Sequence, residues 1–84
     1  NIRCNALCPG SVITQMHGKS MELLASQHGI SLEEAEALEV ASIPMGRSAL
    51  PTDIADAALF LASDLSRYMT GVALPVAGGM PAGL

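Results

Sequence analysis

Two segments of the sequence have the pattern of a β-strand, and nearly the whole chain lies between them. The first, Ile2 to Cys8, carries apolar residues on both faces and stops at Pro9-Gly10, which is typical of a parallel strand covered on both sides. The second, Val72 to Val76, contains Pro75, whose nitrogen cannot donate a hydrogen bond to a neighbouring strand. We therefore expect the first strand at the centre of a sheet and the second at an edge.

Two helices are predicted after the first strand. Helical spacing of apolar residues predicts a short helix over Ser20 to Gln27, ended by Gly29. The segment Ser31-Leu32-Glu33-Glu34 fits a capping box, in which the serine hydroxyl and the glutamate side chain each accept a hydrogen bond from the other residue's backbone. This helix is expected to run to about Ala41. Its inward face is expected to carry Leu32, Ala35, Leu38 and Ala41.

The third predicted helix begins at Pro51, because proline at the first helical position loses no needed hydrogen-bond donor. Asp53 lies in its first turn, where the helix dipole favours a negative charge. The many alanines that follow leave room for close packing against a sheet or another helix. The expected buried stripe consists of Ile54, Ala58, Leu61 and Leu65.

The order of strand, helices and strand indicates a crossover in a mostly parallel sheet and places the chain in the α/β class. Two strands alone do not make a stable parallel sheet that is covered on both faces. A chain of 84 residues also hides only roughly 60–65% of the surface that it exposes when unfolded. With one Phe, one Tyr and no Trp, the composition suits part of a larger packed interior. We expect the chain to complete a larger structure.

Charge and hydropathy exclude two kinds of partner. The formal net charge is −4 and the sequence has no basic cluster, so we expect no nucleic-acid partner. The longest wholly apolar run, Ala57 to Ala62, has six residues, against the ~20 that are needed to cross a bilayer. We therefore expect no membrane partner.

The two cysteines, Cys4 and Cys8, would share a face of the first strand about 13 Å apart, which is beyond disulfide reach. Without His or acidic neighbours they also make a poor zinc site. We expect two small buried thiols in a reducing compartment, and hence a cytoplasmic protein with no metal. The glutamates of the second helix are expected to form a solvated face rather than a metal site: Glu33, Glu34, Glu36 and Glu39.

The loop that follows the first strand is the candidate site. In open α/β sheets ligands bind beyond the carboxyl ends of the strands, where this loop, Pro9 to Thr14, is expected to lie. Gly10 allows a close approach of the backbone, Val12 offers a main-chain N–H, and the Thr14 hydroxyl suits an amide or phosphate oxygen. Spacing alone favours such a site and a plain structural turn equally.

Short motifs along the chain form a wider pattern. They are Ile2-Arg3-Cys4-Asn5-Ala6-Leu7-Cys8-Pro9-Gly10, then Val12 and Thr14, Ile43-Pro44-Met45-Gly46-Arg47, Pro51 with Asp53-Ile54-Ala55, Phe60-Leu61-Ala62-Ser63-Asp64, Tyr68-Met69-Thr70-Gly71, and Val76 with Gly78-Gly79. Each motif alone is weak, but as an ordered set they are highly specific, and the set resembles the C-terminal third of the short-chain dehydrogenase/reductase family. Ala77 departs from the pattern, since the family commonly has Asp there.

This resemblance implies the C-terminal part of a Rossmann-type doubly wound parallel sheet, of which the chain would hold two strands and about three helices. It implies an oxidoreductase that uses NAD or NADP and interconverts a small-molecule alcohol and a carbonyl by hydride transfer. The residues implied to bind the cofactor are Pro9, Gly10, Val12 and Thr14. In the family, the main chain near Val12 would hold the nicotinamide carboxamide and the Thr14 hydroxyl would assist.

The same resemblance divides the chain into three parts. These are the strand and nicotinamide loop (1–14), the substrate lid (15–50, mobile over about Gln15 to Ser42), and the last helix, edge strand and tail (51–84). The candidate substrate contacts are Met16, His17 and Met21. A solvated loop histidine is the competing interpretation of His17, because the sequence identifies no partner for it.

The family's catalytic residues are not found in the sequence. Its catalytic Tyr and Lys are separated by three residues, but the single Tyr, Tyr68, is followed at that distance by Val72. No glycine spacing fits the dinucleotide fingerprint either. The resemblance therefore implies that the catalytic Ser, Tyr and Lys lie in an upstream part of the same enzyme. This chain alone would not transfer hydride.

The resemblance also implies a homo-oligomer, a tetramer or dimer, that assembles through residues 52–63 and 72–76. Leu59, Phe60 and Tyr68 are candidate contacts. The predicted edge strand agrees, since an unpaired sheet edge must be covered or paired. The alternative interpretation is a non-enzymatic interaction module, or a fragment with no activity of its own, kept for its helices and its edge strand.

Overall fold

The computed structural model describes residues 1–80 of the chain, and residues 81–84 of the predicted tail lie outside that range. The fold is α/β, as predicted. Its elements in chain order are β1 (Ala6–Pro9), α1 (Gln15–His28), α2 (Leu32–Ala41), α3 (Pro51–Ala62), a 3₁₀ turn (Asp64–Ser66) and β2 (Ala73–Val76).

The two strands pair in parallel, as their order in the sequence predicts. Ala6 lies opposite Ala73, and the register continues to Pro9 opposite Val76. The Gly10 N–H extends the pairing beyond β1 by donating to the Val76 carbonyl at 3.1 Å. The loop after β1 therefore begins against the carboxyl end of β2.

Residues 2–5 are not part of the strand, contrary to the prediction of a strand from Ile2. The Arg3 guanidinium instead donates to the carbonyls of Leu61, Ser66 and Met69 at 2.9–3.0 Å. The Asn5 side chain binds the same region: it donates to the Met69 carbonyl and accepts from the Val72 N–H. These side chains satisfy backbone atoms at the end of α3 and before β2.

Helix α1 begins at Gln15, earlier than the predicted Ser20. Thr14 caps it, because its hydroxyl oxygen accepts the His17 N–H at 3.2 Å. The helix ends as predicted at Gly29, whose φ of 65° lies in the left-handed region that favours glycine. No apolar residue of the first turn is buried, so the hydrophobic pattern used for the prediction starts one turn after the helix itself begins.

Helix α2 has the predicted capping box. The Ser31 hydroxyl accepts the Glu34 N–H at 3.1 Å, and the Glu34 carboxylate accepts the Ser31 N–H at 3.3 Å. The predicted inward face is confirmed only at Ala35, which is fully buried; Leu38 is 61% exposed. Helix α2 packs against α1, and Glu39, one turn after the buried Ala35, is half-buried.

Helix α3 begins at Pro51, as predicted, and packs on both strands. The predicted stripe is wrong at Ala58, which is exposed, and at Leu65, which is 79% exposed and lies in the 3₁₀ turn. The half-buried apolar residues of the helix are Ile54, Ala57, Phe60 and Leu61. Because the helix ends at Ala62, its rotation cannot carry the stripe on to residue 65.

The molecule is elongated, 53 × 22 × 18 Å. Helices α1 and α2 pack only on each other among the described elements, while α3 packs on the sheet. The two groups join through residues 42–50, where Ile43 is buried and the Met45 N–H donates to the Gly78 carbonyl at 2.9 Å. The loop after β1 lies at the same junction.

The cysteines do not form the expected buried pair. Cys4 is exposed and Cys8 is half-buried, and both are free thiols. The prediction of burial is therefore wrong for Cys4, which precedes β1. No helix within residues 1–80 combines the length and the apolar character needed to span a membrane.

Candidate functional site

The loop from Gly10 to Thr14 is held between two downstream segments. Gly10 is bonded to β2, as described above, and the next residues form a parallel bridge to Ala49. In that bridge the Ile13 N–H donates to the Ala49 carbonyl, and the Ala49 N–H donates to the Ser11 carbonyl, both at 2.8 Å. The path of the backbone through residue 12 is thereby fixed from one side.

Val12 lies between the two bonded residues of this bridge. Because Ser11 and Ile13 supply the bonded groups, the N–H and carbonyl of Val12 point away from Ala49. Neither group has a hydrogen-bond partner within residues 1–80. Val12 is half-buried, and its N–H and carbonyl offer one donor and one acceptor side by side.

Thr14 has a role that the sequence did not predict. Its hydroxyl oxygen accepts the His17 N–H and so begins α1. The hydroxyl hydrogen is not used in this bond and remains available for donation. One side chain can therefore cap the helix and donate to a ligand next to Val12.

Gly10 is required by packing within the chain. A Cβ at this position would lie 2.8 Å from the Cβ of Ala77 and 2.9 Å from its Cα. The space that the missing side chain leaves is filled by Ala77. Pro9, the remaining residue predicted to bind the cofactor, is exposed at the end of β1.

Glu39 joins the loop to both helices, contrary to the expectation of a solvated glutamate. Its Oε1 accepts the Ser11 hydroxyl at 2.5 Å, and its Oε2 lies 2.9 Å from His17 Nε2. The Ser11 hydroxyl also lies 3.3 Å from that of Ser48, which is buried. His17 is therefore a partnered residue of α1, and the interpretation as a solvated loop histidine is wrong.

The candidate substrate residues do not converge on one point. His17 is 15% exposed, and Met16 beside it is 77% exposed. Met21 is 6% exposed, in the packing of α1 against α2. The structure thus brings His17 to the loop site, leaves Met16 open to solvent and places Met21 inside the helix pair.

A cavity of about 500 Å³ opens beside the Glu39 cluster. It lies between the first turn of α1, the end of α2 and the segment before α3. Its lining is mainly apolar, with charged groups at the edge. The lining residues are Ile13, His17, Glu36, Glu39, Val40, Gly46, Arg47, Ser48, Leu50 and Asp53.

Arg47 and Asp53 form an ion pair on one wall of this cavity, with Arg47 NH1 2.8 Å from Asp53 Oδ2. The hydrogen bond from Arg47 and that from the Leu50 N–H lower the pKa of Asp53. The same pairing raises the pKa of Arg47. Arg47 also donates to the Ser48 carbonyl at 3.3 Å. The pair fixes the segment that leads from Ala49 into α3.

No three His, Cys, Asp or Glu side chains within residues 1–80 gather as a metal site would require. What the site offers instead is main-chain and hydroxyl groups at the carboxyl end of a parallel strand, which is where nucleotide-binding α/β sheets hold their ligands.

The family model described as Enoyl-(Acyl carrier protein) reductase matches residues 1–81. Together with relatives more than 40% identical over nearly the whole chain, this shows that the chain belongs to the short-chain dehydrogenase/reductase family. The predicted resemblance is confirmed.

Particular relatives are similar to the chain over part of their own length. It is 42% identical to 2-(S)-hydroxypropyl-CoM dehydrogenase 3 of Xanthobacter autotrophicus, covering 96% of this chain and 30% of that protein. It is 43% identical to L-rhamnose 1-dehydrogenase (NAD(P)(+)) of Sphingomonas sp., and the match covers 94% of this chain and 28% of that protein. The crystal structure of a short chain dehydrogenase family protein from Francisella tularensis subsp. tularensis SCHU S4 matches with a TM-score of 0.87 at 41% identity. The match covers 93% of this chain and 32% of that one. The chain therefore spans about 30% of the length of the relatives that it matches.

Proposed function

We propose that this chain is the C-terminal segment of an NAD(P)-dependent oxidoreductase that interconverts an alcohol and a carbonyl by hydride transfer. Residues 1–14 supply the nicotinamide-side loop, residues 15–50 the substrate lid, and residues 51–84 the last helix, edge strand and tail. The catalytic Ser, Tyr and Lys belong to an upstream part of the same enzyme. Family membership and the NAD(P)(+) in the name of one relative support this assignment.

The main chain of Val12 is the observation that carries the proposal. Its N–H and carbonyl lack partners within residues 1–80, and they complement the oxygen and the NH₂ of a carboxamide. The Thr14 hydroxyl donates to the same group. Binding both ends of the carboxamide fixes which face of the nicotinamide ring meets the substrate, so these residues contribute orientation, while the bound cofactor supplies the hydride chemistry.

Within the lid, Met16 and His17 are the proposed substrate contacts, and Met21 supports them from inside the helix pair. The exposed side chain of Met16 is free to adapt its shape to an apolar part of a substrate. His17 stands at the cavity wall with one ring nitrogen facing Glu39. The other ring nitrogen is left for a polar substrate group.

Thr14 provides the test, because its capping and ligand roles can be separated. In the full-length enzyme, Thr14→Asp keeps an oxygen that caps α1 but lacks the hydroxyl donor, whereas Thr14→Ser keeps both. We expect the dissociation constants of NADH and NADPH, measured by fluorescence titration, to rise for Thr14→Asp and to stay near wild type for Thr14→Ser. Equal binding by both variants would overturn the proposed site.

Assembly and location complete the proposal. We place a homo-oligomer contact, in a tetramer or dimer, on residues 52–63 and 72–76, supported by the exposed Leu59 and Tyr68 on and after α3. Strand β2 supports this contact as well. Pro75 cannot donate a hydrogen bond on the side away from β1, which is typical of an edge strand, and such an edge must be covered. The two free thiols support a reducing, cytoplasmic location.

A further inference from the structure

Glu39 is the residue at which three parts of the site meet. It lies on α2, its Oε1 accepts the Ser11 hydroxyl of the loop after β1, and its Oε2 faces His17 of α1. The three residues are distant in sequence, 28 positions from Ser11 to Glu39 and 22 from His17 to Glu39. Each carboxylate oxygen therefore ties a different segment to α2.

The low exposure of this cluster strengthens its hydrogen bonds. The side chains of His17 and Glu39 are 15% and 22% exposed, so water competes weakly for them. Hydrogen bonds to a charged group in such places are stronger than those between neutral groups. Ser11 directly precedes Val12, whose main chain is the proposed cofactor contact.

We propose that Glu39 is a positioning residue, which fixes the main chain at Val12 for the nicotinamide carboxamide by tying the loop to α1 and α2. This inference rests on the proposed function and extends it to a residue outside the proposed cofactor contacts. The same bonds add a side-chain tie between the loop and the helix pair, and among the described elements α1 and α2 make no contact with the strands.

The physical consequence is a change in how often the loop is competent to bind. When the tie to Ser11 is broken, the bridge to Ala49 holds the loop from one side only, so the backbone at Val12 samples further conformations. The apparent cofactor affinity then falls with the fraction of molecules whose loop is competent to bind. Once the cofactor is bound, the loop is held in place by the ligand itself. Loss of Glu39 should therefore act mainly on cofactor affinity and less on the rate of hydride transfer at saturation.

The experiment uses the full-length enzyme with four variants, titrated with NADH and NADPH and assayed at saturating cofactor. For Glu39→Ala we expect a dissociation constant about tenfold higher, the effect of losing one hydrogen bond to a charged group, with a smaller change in kcat. Ser11→Ala should likewise raise the dissociation constant and change kcat less. Glu39→Gln keeps an acceptor for Ser11 and should restore most of the affinity. Glu22→Ala, on the exposed face of α1, is the matched control and should leave binding unchanged.

The outcomes separate this inference from the proposed function. A wild-type enzyme that binds neither cofactor overturns the proposed function itself. Normal wild-type binding together with unchanged binding by Glu39→Ala and Ser11→Ala overturns only the role of Glu39. A merely structural role would lower the melting temperature and kcat without a selective change in cofactor affinity, and it too would overturn the inference. If Glu39→Ala does not fold, Ser11→Ala decides, because it leaves the contact between His17 and Glu39 in place.

Discussion

Gly10 and Ala77 pack so closely that a Cβ at residue 10 would lie 2.8 Å from the Cβ of Ala77. The contact joins the residue after β1 to the residue after β2, at the end of the sheet where the candidate site lies. A side chain at residue 10 must therefore displace the turn that follows β2, or the loop that carries Val12.

Gly10→Ala is expected to destabilise the full-length enzyme by about 1–3 kcal/mol through overpacking. Adding Ala77→Gly should recover only part of this loss, because the Cα of residue 77 would still lie 2.9 Å from the new methyl group. Urea denaturation provides the measurement. Gly18→Ala is the control, since Gly18 lies in α1 with open space around it, and this change should stabilise the protein by about 0.5–1 kcal/mol. A neutral Gly10→Ala would contradict the packing argument.

Replacement of Arg3 by Met should cost about 2 kcal/mol, because several carbonyls at the end of α3 and in the following turn lose a charged donor. The Met side chain retains most of the apolar stem, so the change isolates the guanidinium. Arg67→Met is the matched control, since exposed Arg67 donates to a single carbonyl within residues 1–80. Its effect should stay within about 0.5 kcal/mol. Equal losses for the two variants in denaturation of the full-length enzyme would be evidence against a special role for Arg3.

Acid should weaken the junction before α3 through Asp53. Its pKa is lowered in the fold from an ordinary value of 3.8, chiefly by the hydrogen bond from Arg47. A lowered carboxyl pKa contributes stability that is fully present above the ordinary value and is lost as the pH falls through the folded value. The stability difference between wild type and Asp53→Asn should therefore shrink as the pH is lowered from 5 to about 3.

The control for this pH dependence is Asp56→Asn, which removes a carboxylate one turn further along the same helix, at an exposed position without the arginine contact. Its difference from wild type should not change in the same direction over that range. Denaturant midpoints measured at each pH give the comparison. A constant gap between wild type and Asp53→Asn would show that the ion pair contributes nothing to stability.

Leu59→Lys should weaken the proposed assembly of the full-length enzyme. Leu59 is 68% exposed on α3, and a charge placed in an apolar contact between subunits loses its hydration without gaining a partner. Light scattering coupled to gel filtration should show a shift toward smaller species on dilution. Leu23→Lys provides a comparison at a similarly exposed position of α1, outside the proposed contact, and should leave the mass unchanged. An unaltered mass for Leu59→Lys would place the interface elsewhere.

Local features of the structure were the ones that the sequence predicted well. The capping box of Ser31 and Glu34, the proline start of α3 at Pro51 and the glycine end of α1 at Gly29 all involve residues within one turn of each other. Such features depend on backbone hydrogen bonds that short sequence patterns specify. Parallel pairing of the strands also followed, because strands separated by helices need a crossover.

Long-range polar contacts were missed for a physical reason. Arg3 reaches the Ser66 carbonyl across 63 positions, and Glu39 reaches Ser11 across 28. Charged side chains are usually exposed, and the sequence pattern accordingly predicts a solvated position for Glu39. One signal was available for Glu39: it lies four residues after Ala35, on the same side of α2. That spacing marked it as a carboxylate turned toward the interior.

The separation of the α1 and α2 pair from the sheet bears on how the chain tolerates variation. Since these helices meet the rest of the described chain only through connecting residues, a longer or differently composed hairpin can replace them without disturbing the strands that carry the loop. The sequence of the projecting hairpin can then vary while the geometry of the loop after β1 is kept, provided that an acceptor for the Ser11 hydroxyl is preserved.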